Sequence, residues 1–175
     1  SRKYGLPIYA NEGTWDGILL RESGIPLRCV RTFYTGEDFY IGDLNVHPFA
    51  IPHDANEPVG YSFSCQGLRC AVATDLGHIN DTWMNAISGC QALVLEANHD
   101  VEMVGRGPYP QHLKRRILGK KGHLNNEDCA KAMLYFSGKQ IPLIAVPTTS
   151  GSGSEVTDFA ILTHNGTKHP LIDDR

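Results

Sequence analysis

The chain lacks most of the features that would assign it at a glance. No apolar run is long enough to cross a bilayer, so no membrane role is expected. It opens Ser1-Arg2-Lys3-Tyr4-Gly5, with neither an initiator Met nor the apolar core of a signal peptide, and sequence upstream is expected. Five cysteines (Cys29, Cys65, Cys70, Cys90, Cys129) are an odd number without C-x-x-C spacing. That argues against a zinc finger or a disulfide framework, and a reducing cytoplasm fits best. A basic excess is missing too: 16 Lys and Arg against 19 Asp and Glu give a net charge of −3. Any phosphate recognition must therefore be local. There is no internal repeat.

What is present is ordinary globular material. With 41% apolar and 20% charged residues over 175 positions, disorder is not expected and one domain can bury a real core. Strands alternate with helices, an α/β pattern. Pro7–Ala10 reads as a strand and Glu12–Glu22 as a helix started by Asn11. Strands are expected at Arg28–Phe33, Leu44–Ile51, Val59–Ser64 and Leu68–Ala73, the last two joined by a hairpin turn at Cys65-Gln66-Gly67. A short helix around Trp83 and Ile87 ends at Gly89, and Ala92–Glu96 is a buried strand. A helix follows Pro110 with Leu113, Ile117 and Leu118 on one face, and Gly119 and Gly122 break it. A further helix, Asn126–Phe136, is capped by Asn125 or Asn126, with Glu127 and Asp128 complementing its dipole. After Gly138 come strands at Pro142–Val146 and Phe159–Thr163 around a small-residue loop, Thr148–Ser154.

Three polar residues sit at the ends of elements, where loops gather chemistry onto one face. His53 follows Phe49-Ala50-Ile51-Pro52, Asp75 follows Ala71-Val72-Ala73-Thr74, and His123 follows Gly122 at a helix break. Two imidazoles and a carboxylate suit zinc or manganese. Two ions held close together would activate a nucleophile and clamp both oxygens of a displacement. The plainer reading is a loop histidine and a turn aspartate. Asn98 and His99 follow a buried strand and are candidates to line such a site, against loop hydrogen bonding. For Glu96 a structural hydrogen bond and a catalytic role stand equal. Lys114, Arg115, Arg116, Lys120 and Lys121 read as a solvated helix face before a phosphate contact. Trp83 and Tyr109 read as packing residues.

Several segments carry a resemblance. His53–Tyr61 resembles the HDAxEPVGY segment of the WalJ/YycJ branch of the metallo-β-lactamase superfamily. Ala73–Gly77 resembles its ATDLG, Leu95–Asp100 its LEANHD, and Gly122–Asn126 its GHLSN with Asn125 in place of Ser. Gly5–Asn11 resembles the segment after the family's first histidine cluster. The resemblance spans about residues 1–130. It implies the C-terminal part of an αββα sandwich with a two-metal site at one edge, ligands His53, Asp75 and His123, and Asp75 bridging. It also implies phosphodiester hydrolysis, including exonuclease activity on DNA, with nucleic acid as substrate. Asp75, and His99 from its place after the buried strand, are the catalytic candidates. The family's H-x-H-x-D-H cluster would lie before Ser1 and is not in this sequence. Weak metal binding and little hydrolysis are therefore expected of the chain as given, with self-association through an exposed sheet edge.

From about residue 128 a different resemblance begins. Pro147–Thr157 is similar to the PTTAGTGSEVT segment of iron-containing alcohol dehydrogenases, and Lys168–Ile172 fits the same family. It implies that Thr148, Thr149 and Ser152 contact NAD, since small residues after a strand let the backbone approach a nucleotide. A Gly/Ser/Thr loop alone is more often a linker. That family's Gly-rich phosphate loop is missing and its iron ligands would lie beyond Arg175, so no alcohol oxidation is expected. The sequence thus divides at 1–130 and 131–175, a partial sandwich with a short strand-loop extension. The join falls in the helix beginning near Glu127, whose pattern fits both families. A natural fusion and an artefactual one both remain open.

Overall fold

The computed structural model describes residues 3–19 and 24–136, together with the backbone of strands at 143–146, 159–164 and 167–172. Its centre is a six-stranded mixed sheet in the order β3-β4-β5-β6-β7-β8. The strands are β3 (Phe39–Ile41), β4 (Leu44–Ala50), β5 (Val59–Cys65), β6 (Leu68–Ala73), β7 (Ala92–Glu96) and β8 (Leu143–Val146). Pairing is antiparallel from β3 to β6 and parallel from β6 to β8. As a result β4, β6 and β7 all end at the same edge. Apart from this sheet, β1 (Ile8–Ala10) pairs in parallel with β2 (Val30–Thr32), and β9 (Phe159–His164) forms an antiparallel hairpin with β10 (Thr167–Ile172).

One face of the sheet carries Phe49, Ala71, Ala73, Leu93 and Leu95. Two helices cover it, α2 (Asp81–Ala86) with Trp83 and neighbouring Ile87, and α5 (Asn126–Phe136) with Cys129, Ala132 and Phe136. On the aromatic side, Phe33 and Phe39 stack at 5.0 Å, Tyr9 stacks on Phe39 at 5.3 Å, and Phe33 meets Tyr61 edge-on at 6.0 Å. The remaining helices are α1 (Glu12–Leu19), α3 (Val101–Arg106) and α4 (Gln111–Ile117).

Most sequence expectations fall on these elements, with adjustments. Asn11 does start α1, its Oδ1 accepting from Thr14 N at 3.1 Å, and the predicted span beyond Leu19 lies outside the described residues. Arg28–Phe33 is not one strand. Pro26 sets up a 3-10 turn at Leu27–Cys29, closed by Cys29 N to Pro26 O at 2.8 Å, and only Val30–Thr32 is extended. The hairpin turn is the pair Gln66-Gly67, both with positive φ (51° and 79°), because such a two-residue turn matches the twist of the strands it joins. Asn125 is the cap of α5, accepting from Asp128 N at 2.9 Å. Trp83 is fully buried, whereas Tyr109 is 47% exposed and does not pack in the core. Strand β3, helix α3 and strand β10 have no counterpart in the sequence pattern.

Candidate metal centre

The three strands that end together deliver the polar residues. His53 lies three residues past β4, Asp75 two past β6, and Glu96 is the last residue of β7. His123 enters from the turn between α4 and α5. One ligand atom each of His53, Asp75 and His123 lies within 4.8 Å of the other two. The imidazole rings of His53 and His123 have centroids 5.2 Å apart and are tilted by 57°. Asp75 has φ +56°, a conformation that costs a non-glycine residue energy, and its side chain is about half exposed. Aspartate is among the few non-glycine residues that enter this region, and here it sets the carboxylate beside two imidazoles.

Each imidazole is held through Nδ1. His53 Nδ1 lies 3.0 Å from Gly122 O, a carbonyl that only accepts, so Nδ1 carries the hydrogen and Nε2 keeps its lone pair. His123 Nδ1 lies 2.7 Å from Glu96 Oε1, with the same consequence. Holding the far nitrogen of a histidine on a carboxylate or carbonyl is how proteins fix ligand histidines. His123 Nδ1 also lies 3.5 Å from Asp75 Oδ1, and the two imidazoles with this half-exposed carboxylate make a nitrogen and oxygen donor set of the kind that fits a divalent cation.

Glu96 is the residue for which the sequence left two roles equal. It has 0% exposure. Oε2 accepts from Leu76 N at 2.7 Å and from Leu124 N at 3.2 Å, while Oε1 contacts His123 Nδ1 and accepts from Asn98 Nδ2 at 3.2 Å. One carboxylate thus pins the backbone after Asp75, the backbone after His123 and the His123 ring. Glycines close the same corner. A Cβ on Gly77 would lie 2.1 Å from Lys120 O, and one on Gly122 would lie 2.2 Å from both Arg116 O and Ile117 O. Neither contact can be relieved without moving backbone.

His99 is buried at 8% exposure, with Nδ1 3.3 Å from Asn98 Oδ1. Burial, then the neighbouring His123, pulls its proton affinity below the usual histidine range, against the nearby Glu96 and Asp100. It does not belong to the three-residue cluster. Asp54, beside His53, places Oδ1 3.4 Å from His53 Nε2 and is gripped by Arg116 (Nε to Oδ2 2.6 Å, Nη2 to Oδ1 3.3 Å). That guanidinium hydrogen bond holds the Asp54 carboxyl below the usual range. The two residues stand 62 positions apart, and that spacing carries no signal of their contact. Thr148, Thr149 and Ser152 lie outside the described residues.

Comparison with known proteins decides the family. The beta-lactamase superfamily domain profile matches residues 2–144. The chain belongs to the beta-lactamase superfamily. Within it, an exodeoxyribonuclease YycJ from Bacillus anthracis is 44% identical over 133 residues, 76% of this chain and 50% of the relative. The chain spans about half the length of the curated relatives it matches. The Zn(2+)-bound PqqB from Methylobacterium extorquens superposes with a TM-score of 0.53 at 19% identity, covering 80% of this chain and 52% of PqqB, a likeness of fold. A second profile, iron-containing alcohol dehydrogenase, matches residues 123–175. Aldehyde-alcohol dehydrogenase 2 from Entamoeba histolytica is 55% identical over 38 residues, 21% of this chain and 4% of that protein. The superfamily domain thus implies a divalent-metal site, and the two profiles overlap over residues 123–144, which contain α5.

Proposed function

We propose that the chain carries part of the active site of a metal-dependent phosphodiesterase, of the kind that shortens DNA from an end. The observation that carries this reading is the pair of imidazoles oriented by Gly122 O and Glu96 beside Asp75, at the common edge of β4, β6 and β7. His53, Asp75 and His123 would hold the ion, zinc or manganese, which when bound supplies Lewis-acid chemistry at a phosphodiester. Glu96 and Gly122 keep the two rings aimed. His99, whose proton affinity burial pulls down, would hold or pass a proton beside His123. The exodeoxyribonuclease relatives support DNA as the substrate class.

Three protein ligands suit one ion with an open position. Calorimetric titration with zinc or manganese is expected to show one equivalent bound at micromolar strength, and Asp75→Ala to abolish it. Absence of saturable binding, or binding unchanged in Asp75→Ala, overturns the reading.

Residues 131–175 are proposed as a dehydrogenase-derived segment joined to the hydrolase domain of residues 1–130. The overlap of the two profile matches on α5 supports a join there. The same match supports a second reading of the segment, in which Thr148, Thr149 and Ser152 contact NAD.

A further inference from the structure

Between Glu102 and Glu127 the chain has no acidic residue and six basic ones: Arg106, Lys114, Arg115, Arg116, Lys120 and Lys121. In a chain of net charge −3 this is a concentrated positive field. The structure sets it against the metal corner. Lys120 O lies 2.8 Å from His78 Nδ1, Gly122 O holds His53, Arg116 grips Asp54 beside His53, and His123 N donates to Ile117 O at 3.1 Å. The backbone of the basic segment is therefore part of the wall of the site.

Its charges are unevenly used. Arg106 pairs with Glu102, Arg116 with Asp54, and Lys114 Nζ donates to Gly105 O at 2.7 Å. Arg115, Lys120 and Lys121 are exposed, and among the described residues no carboxylate pairs with any of them. Lys120 and Lys121 directly precede Gly122, whose carbonyl holds His53, and Arg115 adjoins Arg116, which holds Asp54, so three cations without a carboxylate partner among the described residues lie on the segment that walls the candidate site.

We propose that Arg115, Lys120 and Lys121 form a track that binds the sugar-phosphate backbone of a DNA strand and leads its end to His53, Asp75 and His123. This deepens the phosphodiesterase reading and rests on it for the choice of DNA. Position favours a strand over an anionic membrane, because the charges lie on the segment whose backbone walls the cluster of candidate ligands. Arg116 is left out of the track because its guanidinium already holds Asp54.

The test is fluorescence anisotropy of a labelled single-stranded DNA on the full chain, in EDTA, across a range of salt. Without metal the readout carries no contribution from an ion at the candidate metal site, and the comparison with the variants isolates the track. The wild-type chain is compared with the triple variant Arg115→Gln, Lys120→Gln, Lys121→Gln and with Arg115→Lys, which keeps the charge. The triple variant is expected to lower the slope of log affinity against log salt by roughly two, about 0.7 for each phosphate of a single strand that the protein no longer neutralises. Arg115→Lys is expected to keep the slope. An unchanged slope in the triple variant overturns the proposal, as does tighter binding of the wild-type chain to phosphatidylserine vesicles than to DNA. Zinc titration of the same proteins separates the two readings. If the triple variant no longer binds DNA while wild type takes up no zinc, the track stands and the metal reading fails. If zinc binds and the slope does not move, the reverse holds.

Discussion

At the scale of single residues, Glu96 does more than any proposed ligand to shape the site. A fully buried carboxylate is tolerated only when its oxygens are satisfied, and here they meet two backbone N–H groups, an amide and an imidazole. Glu96→Gln keeps the volume but turns an amide NH2 toward either the two backbone donors or the His123 ring. One of those contacts becomes donor against donor. The expected result is a loss of roughly 1–3 kcal/mol in urea unfolding. Zinc affinity should also fall about 10- to 100-fold, as when other residues that orient a ligand histidine are replaced. Unfolding and zinc curves both matching wild type would show that the Glu96 contacts are incidental. Asp75 makes the complementary point, since its positive φ is visible only in the backbone.

At the scale of elements, α5 shows how a short helix is pinned where two families overlap. Asn125 caps it twice, accepting from Asp128 N and donating to Asp128 Oδ2, both at 2.9 Å, and Lys131 Nζ sits 2.8 Å from Asp128 Oδ1. The Lys131 ammonium, then the Asn125 amide, holds the Asp128 carboxyl below its ordinary value of 3.8. A carboxyl whose proton affinity falls on folding stabilises the native state at pH above its unfolded value. That contribution is lost as pH falls below 3.8 and through the folded value. Urea midpoints measured at neutral pH and in acid should therefore converge in Asp128→Asn relative to wild type. An acid loss of the same size in the variant would assign the effect to other carboxyls.

For the molecule as a whole, the question is whether the dehydrogenase-like segment is part of the fold. The structure places β8 beside β7 in parallel register, Val94 opposite Ile144 and Glu96 opposite Val146. The strand that borders Glu96 thus comes from the segment shared by both profile matches or beyond it. Proline has no N–H to give to a ladder, so Ile144→Pro should disrupt this pairing. The expected cost is roughly 1–3 kcal/mol, with faster hydrogen exchange at Leu93–Leu95. Exchange at those amides identical to wild type would mean that β8 adds nothing to the sheet.

The sequence by itself determined the family, the order of most strands and the three candidate ligands. Those features are local: apolar runs of strand length, turn residues between them, and short motifs in which His53, Asp75 and His123 each follow an apolar strand or a glycine. Only the tertiary structure decided what surrounds them. Glu96 becomes a hub because β7 ends where two loops, 20 and 28 residues away along the chain, return to it. Asp54 meets Arg116, and the basic segment becomes a wall of the metal corner, through contacts that local spacing does not encode. Strand β3 and helix α3, three and six residues long, are invisible in the sequence because so few residues show no period, and pairing with β4 and capping by Asp100 hold them in place. Patterns along the chain record which residues are apolar and which can bind. Which polar groups end up sharing one corner depends on how the strands are ordered across the sheet.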